Sequence, residues 1–167
     1  GKEELLPLSL IKELKLAKRP VFILGYGCRL ANKNKELINY CHVNKIPYVL
    51  TWNTLDFASY ENIENCGLLG ISGTRDANLV INYSDFVIGF GTHLSKMLTG
   101  DNLEDFAPDA KKIYILDIDN KEFERFKNHK RFQGICIDLR KINLSSLPRI
   151  IFKTDEWIKL YSLLKGL

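Results

Sequence analysis

The sequence contains no long apolar run and no N-terminal signal segment. A membrane-spanning helix needs about 20 consecutive apolar residues, and no apolar run of this chain approaches that length. A secretory signal would show a charged start, an apolar middle and a cleavage site, and none is visible. We therefore expect a cytoplasmic protein with no membrane partner.

Closely spaced cysteine and histidine pairs are also absent. The cysteines Cys28, Cys41, Cys66 and Cys136 form no CxxC pair, and the three histidines form no HxxxH or HExxH pattern. Zinc sites are built from such pairs, so we expect no metal site in this chain. Without a secretory signal we expect reduced thiols, most of them small core residues.

The excess of positive charge is small. Lys and Arg number 24 and Asp and Glu number 20, a net charge of +4, whereas nucleic-acid binding calls for a concentrated basic face. The segment 121–132 mixes basic and aromatic residues, as single-strand binders do. Phe123 and Phe126, however, are at helical spacing, which favours a core position. We expect no nucleic-acid partner.

What remains is an ordinary globular composition. The chain has 167 residues, of which 46% are hydrophobic and 26% charged, typical of one folded domain. We expect residues 1–167 to form a single domain, with 154–167 as a C-terminal linker helix. The first residue is Gly1 rather than Met, and we expect the chain to be part of a longer protein.

Short apolar runs alternate with amphipathic segments. The predicted strands are 21–24, 46–50, 86–90, 113–119 and 134–137. The predicted helices are 10–17, 32–42, 77–81, 121–127 and 154–164. This alternation predicts an α/β fold with a parallel sheet. In such sheets ligands bind at the carboxyl ends of the strands, where the strand order reverses. The Gly- and Asn-rich segment 51–74 and the polar segment 91–112 are predicted to be loops, and the first a functional one.

Gly25-Tyr26-Gly27-Cys28 follows the first predicted strand. Glycines there would let the backbone approach a phosphate at a helix N-terminus. Leu30 stands where the GxGxxG pattern has its third glycine. A tight turn between strand and helix is therefore an equal alternative.

Asp117-Ile118-Asp119 ends another predicted strand. A carboxylate in this place can accept hydrogen bonds from a ribose hydroxyl. Alternatively, Asp119 or Asn120 caps the following helix. Both interpretations can hold, for different acids.

Two loop segments are further candidates. Gly70, Ser72, Gly73 and Thr74, followed by a cation at Arg75, could form an anion-binding loop, although spacing alone favours a flexible surface loop.

The second candidate segment is Gly91-Thr92-His93, which follows another predicted strand. His93 could contact a ligand or act as a base, but no obvious nucleophile and orienting acid lie near it in the sequence. A histidine alone in a loop is more often neither.

Taken in order, these segments resemble the central domain of thiamine-diphosphate-dependent enzymes of the acetolactate synthase group. The resemblance covers about residues 8–140. Its motifs are KRPV at 18–21, GYGC at 25–28, IPYV at 46–49, GLLGISGT at 67–74, AN at 77–78, SDFVIGFGT at 84–92, TG at 99–100 and ILDID at 115–119.

The resemblance implies a three-layer, Rossmann-like domain with a parallel sheet of about six strands, of the DHS-like NAD/FAD-binding type. In such enzymes this domain holds FAD, ADP or nothing. Carried over by position, the residues lining a nucleotide cleft are Gly27, Gly70, Ser72, Gly73, Thr74, Gly91, Thr92, His93, Asp117, Ile118 and Asp119. FAD-binding members usually carry His at the position of Ser72 and Arg at that of His93. Without that permanent cation, contact with a flavin or pyrophosphate is weaker.

The resemblance also separates this chain from catalysis. The thiamine motif of the family begins with GDG, which is absent here. Thiamine diphosphate and Mg²⁺ would be held by flanking N- and C-terminal domains of a parent chain, a homodimer or homotetramer acting on a 2-oxo acid such as pyruvate. The fragment alone would be inactive.

Two other interpretations stay open. The chain could be a stand-alone Rossmann-like module that binds FAD, ADP or NAD without catalysis. It could also be a spacer whose helix around Trp157 docks on a neighbour and leaves an apolar face exposed in isolation.

Overall fold

A six-stranded, all-parallel sheet forms the centre of the computed structural model, which describes residues 2–166. The strands are β1 Pro20–Leu24, β2 Tyr48–Leu50, β3 Asn65–Leu68, β4 Phe86–Phe90, β5 Lys112–Asp117 and β6 Phe132–Cys136. They lie in the order β3-β2-β1-β4-β5-β6. The chain winds outward from β1 to β3 and then returns to place β4 beside β1, so the order reverses between these two strands. The predicted Rossmann-like α/β fold is confirmed.

Helices cover both faces of the sheet. The α-helices are α1 Leu8–Leu16, α2 Tyr26–Leu30, α3 Asn34–Asn44, α4 Arg75–Tyr83, α5 Lys96–Thr99 and α6 Glu156–Leu164. Short 3-10 helices are Trp52–Phe57, Leu103–Asp105, Asn120–Phe126, Leu139–Lys141 and Leu144–Ser146.

The core has two parts, one on each face of the sheet. Side chains alternate along β1, so that Phe22 and Leu24 join one part while Val21 and Ile23 join the other. Helices α1 and α3 cover the first face, and α4 and α6 cover the second. Strands β1 and β4 are buried along their whole length, which explains their continuous apolar sequences.

The prediction of one long loop over 51–74 is wrong. This segment contains a 3-10 helix and the strand β3. Asn65-Cys66-Gly67-Leu68 lacks the β-branched and aromatic residues that mark strands. It pairs with a single neighbour, β2.

The predicted helix 32–42 is α3, which is shifted two residues towards the C-terminus, and the short helix α2 before it was not predicted. Asn32 adopts φ +55°, which is outside the helical region and separates α2 from α3. The predicted strand 113–119 begins one residue earlier and ends at Asp117. The predicted helix 121–127 is the 3-10 helix Asn120–Phe126.

Helix α6 exists as predicted, but it packs on this chain's own sheet. The indole N–H of Trp157 donates to the carbonyl of Pro20 at 3.1 Å, and the Tyr161 hydroxyl donates to that of Lys45 at 3.2 Å. Trp157, Tyr161 and Leu164 are buried. The exposed apolar face of the spacer interpretation is therefore wrong, because Trp157 and Tyr161 belong to the second part of the core.

Three of the cysteines are buried, as predicted. Cys28, Cys41 and Cys66 belong to the core, whereas Cys136 is exposed on the edge strand β6. Among residues 2–166 no helix is both long and apolar enough to span a membrane.

Candidate functional site

The loops after β1 and β4 touch backbone to backbone at the point where the strand order reverses. The N–H of Gly25 donates to Phe90 O and that of Gly27 to Gly91 O, both at 2.9 Å. A Cβ at Gly27 would stand 2.7 Å from Gly91 Cα, and Gly91 has φ +59°. Glycine is therefore required for this contact. The tight-turn interpretation of Gly25–Cys28 holds, because the N–H groups of both glycines already have partners within the chain.

A cavity of about 230 Å³ opens beside this contact. It brings together Gly27, Gly91, Asp117 and Ile118 from the predicted site. The other lining residues come from the end of α2 and from the segment after β6: Leu30, Ala31, Ile137, Asp138, Leu139 and Arg140. The cavity is thus lined by two glycines, by aliphatic side chains and by the carboxylates of Asp117 and Asp138.

The two acids after β5 have separate roles. Asp117 lines the cavity, and its Oδ1 accepts the N–H of Asp119 at 3.0 Å. Asp119 is exposed and accepts the N–H of Lys121 at 2.9 Å, which caps the 3-10 helix. The predicted capping role is confirmed for Asp119.

Asp138 and Arg140 are cavity residues that the sequence reasoning missed. Both oxygens of Asp138 accept hydrogen bonds from the Arg140 guanidinium, at 2.8 to 3.2 Å. These hydrogen bonds lower the pKa of Asp138. The available signal was an acid just after a strand, the same pattern that identified Asp117 and Asp119.

The loop 70–74 lies in a different place. Asn78 clamps Gly70 by accepting its N–H at 3.2 Å and donating to its carbonyl at 2.9 Å. Gly70 lines a second cavity of about 260 Å³, together with Thr99 and Gly100.

Four of the five backbone N–H groups of this loop, all but that of Ser72, already have partners. Ile71 donates to Met97 O at 2.9 Å, Gly73 to Gly70 O at 2.9 Å, and Thr74 to Leu68 O at 2.8 Å. Such donors are what an anion-binding loop must keep free. The arrangement of this loop gives no support to phosphate binding by Gly70, Ser72, Gly73 or Thr74. Their role in a nucleotide site stays a prediction.

Thr92 and His93 face different surroundings. Thr92 is 1% exposed and packs where Gly89 lacks a side chain; a Cβ there would lie 2.7 Å from Thr92 Cγ2. Its hydroxyl has no hydrogen-bond partner among the described residues. His93 is largely exposed, and its ring contacts Glu122 of the 3-10 helix. Neither lines the 230 Å³ cavity, so the predicted residues divide among separate surfaces.

The cavity can hold a flat group and a hydroxylated ring. Ligand pockets usually measure about 300–1,000 Å³, so 230 Å³ suits a part of a nucleotide rather than an enclosed dinucleotide. Aliphatic side chains can contact a base, and Asp117 can accept from sugar hydroxyls. The Arg140 cation is already paired with Asp138, which leaves little positive charge for phosphates.

Comparison with known proteins agrees with this architecture. Residues 9–143 match the family model described as thiamine pyrophosphate enzyme, central domain.

Individual relatives carry the name acetolactate synthase. Acetolactate synthase 2, chloroplastic, of Nicotiana tabacum is 31% identical over 157 residues, which are 94% of this chain and 23% of that protein. The probable acetolactate synthase large subunit of Methanococcus aeolicus is 34% identical over 125 residues, 73% of this chain and 20% of that protein. The chain thus spans about a fifth of the length of these relatives. Together, the sheet order and these matches show that the chain belongs to the family of thiamine pyrophosphate enzyme central domains.

Proposed function

We propose that this chain is the middle domain of an acetolactate synthase-like enzyme, located in the cytoplasm, that acts on a 2-oxo acid such as pyruvate. The observation that supports it is the family match over residues 9–143. Flanking N- and C-terminal domains of the parent would hold thiamine diphosphate and Mg²⁺, and the parent would be a homodimer or homotetramer. Residues 1–167 would be one domain of that parent.

The chain itself would not catalyse the reaction. The cavity residues include no nucleophile beside a base, and His93 contacts only Glu122 among the ionisable groups described. The purified chain, given pyruvate, thiamine diphosphate and Mg²⁺, should form no acetolactate. A chain extended through both flanking domains is the positive control. Turnover by the fragment, checked for contaminating enzyme, would contradict the proposal.

We propose further that the 230 Å³ cavity takes the adenosine part of ADP in preference to FAD. The surface around Gly27 and Gly91 can contact a base, and Asp117 can accept hydrogen bonds from a ribose. The diphosphate would find few hydrogen-bond donors, because the N–H groups of Gly25 and Gly27 already donate to Phe90 O and Gly91 O.

Calorimetric titration with adenosine, ADP, FAD and NAD tests this assignment. Adenosine and ADP should bind with similar affinity, within about tenfold of each other, since phosphates add little without a free cation. Asp117→Asn should weaken both ligands, and Asp101→Asn, an exposed acid that does not line the cavity, is the charge-matched control. FAD binding much more tightly than ADP would contradict the assignment. Binding of none of the four would leave a structural role.

A further inference from the structure

The segment 137–143, directly after β6, lines two cavities. Residues 137–140 form one wall of the 230 Å³ cavity described above, and Asp138 and Arg140 also line a cavity of about 590 Å³. The side chain of Leu139 anchors the segment in the core, whereas Asp138 and Arg140 border open space in both cavities. Hydrogen bonds must therefore contribute to fixing the position of this wall.

Those hydrogen bonds come from the N-terminal end of the described chain. Among residues 2–166, every hydrogen bond that joins residues 138–143 to a distant part of the sequence goes to Glu3 or Glu4. The N–H of Glu4 donates to Lys141 O at 3.0 Å. Glu4 Oε2 accepts the N–H of Asp138 at 3.1 Å, although 134 residues separate the two in sequence.

Glu4 contacts the wall at the residue that carries its ion pair. Asp138 is only 9% exposed, and its carboxylate is held by the Arg140 guanidinium. Without the Glu4 carboxylate, the N–H of Asp138 would lose its acceptor, so water would have to enter or the segment would have to shift. Glu4 does not itself line the 230 Å³ cavity, and it can therefore affect a ligand there only through Asp138.

We propose that Glu4 is a positioning residue for this cavity. Its carboxylate fixes Asp138, and with it the wall against which a nucleoside would bind. Leu6, two residues further on, is buried in the same part of the core as Leu139 and Ile142, so the segment that carries Glu4 is itself anchored. The positioning needs no ligand, whereas its effect on affinity rests on the nucleoside binding proposed above.

Hydrogen exchange tests the positioning without a ligand. In Glu4→Ala the Asp138 amide should exchange at least about tenfold faster than in the unsubstituted chain, since it loses its acceptor. The Ile137 amide donates to Asp117 O at 2.9 Å and should not change, which distinguishes local release from a loss of overall stability. Glu4→Gln keeps an oxygen that can accept and should restore slow exchange. Glu61→Ala, at an exposed acid before β3, is the control.

Calorimetric titration with adenosine tests the consequence for binding. Glu4→Ala should weaken adenosine about tenfold and Glu4→Gln by less than about twofold, with Glu61→Ala unchanged. Unchanged exchange of the Asp138 amide in Glu4→Ala would overturn the proposal, and so would faster exchange with unaltered adenosine affinity. If the unsubstituted chain binds no adenosine, the nucleoside assignment fails, and the exchange rates at Asp138 alone decide whether Glu4 positions the wall.

Discussion

Single glycines set the geometry of the carboxyl edge. A Cβ on Gly91 would lie 2.6 Å from Gly27 Cα and 2.9 Å from Cys28 N, and the residue has positive φ. Gly100 also has positive φ, +80°, but nothing lies within 4 Å of its Cβ position. The two positions therefore separate backbone strain from steric overlap.

Gly91→Ala should lower the free energy of unfolding by about 3 kcal/mol or more, since overlap adds to strain. Gly100 has ψ 178° and so lies in a backbone region that is almost restricted to glycine, and Gly100→Ala should lower the free energy of unfolding by about 1–3 kcal/mol from strain alone. Urea unfolding of both variants measures the difference. Equal losses would mean that the Gly27–Gly91 contact can relax.

The pair of Asp138 and Arg140 makes stability depend on pH. The guanidinium lowers the pKa of Asp138 from its ordinary value of 3.8. A carboxyl whose pKa is lower in the folded state contributes stability above its unfolded pKa and loses it as the pH falls through the folded value. The relevant window is therefore below about pH 4.

Asp138→Asn should be less stable than the parent sequence at pH 7. The difference in stability should shrink as the pH falls below the pKa of an ordinary Asp carboxyl. Asparagine retains the capping oxygen that accepts Arg140 N, but its NH2 group cannot accept from the guanidinium as Asp138 Oδ2 does, so the substitution removes the charge together with that hydrogen bond. Denaturation midpoints between pH 7 and pH 3 give the result. A difference that stays constant with pH would contradict the role of ionisation.

At the scale of elements, the sequence predicted which strands and helices exist better than it predicted where they pack. The apolar runs of β1, β4 and β5 identified them, because strands buried on both faces need continuous apolar side chains. Strand β3 escaped detection, because four residues with Asn and Gly carry no such pattern. Helix α6 was predicted from Trp157, Tyr161 and Leu164, yet its periodicity could not say which surface it covers.

Helix α6 should behave as part of the core and not as a linker. Trp157→Ala removes a buried ring and the hydrogen bond to Pro20 O, and should lower the free energy of unfolding by about 3–5 kcal/mol. Leu163 lies on the same helix but is 67% exposed, so Leu163→Ala should change it by less than about 0.5 kcal/mol. Thermal or urea unfolding compares them. Similar effects of both substitutions would indicate that α6 is detached in solution.

At the scale of the whole molecule, one face of the sheet depends on contacts distant in sequence. The Arg131 guanidinium donates to carbonyls of Leu103, Phe106, Ala107 and Ala110 at 2.7 to 3.1 Å. Arg125 similarly donates to Leu94 O at 2.8 Å and Gly100 O at 3.0 Å. The segment 91–112 thus takes its shape from two arginines that follow it.

These distant contacts also limit what the sequence could say of the site. The edge of the sheet was predictable, because parallel strands bring their carboxyl ends together and ligands bind where the order reverses. Gly27, Gly91, Asp117 and Ile118 meet there as expected. The loop around Gly70 does not join them, because hydrogen bonds to Asn78 and Met97 hold it over a different cavity. No local sequence pattern indicates these hydrogen bonds.

The exposure of Cys136 provides a reporter for the carboxyl-edge cavity. Its Sγ lies 3.4 Å from Ile118 O, and the next residue, Ile137, lines the cavity together with Ile118. Burial raises the pKa of the Cys28 and Cys66 thiols to about 12, and Cys41 is also buried, so these three react slowly at neutral pH. A maleimide fluorophore would therefore label the natural sequence at one position, beside the cavity, without any engineered cysteine.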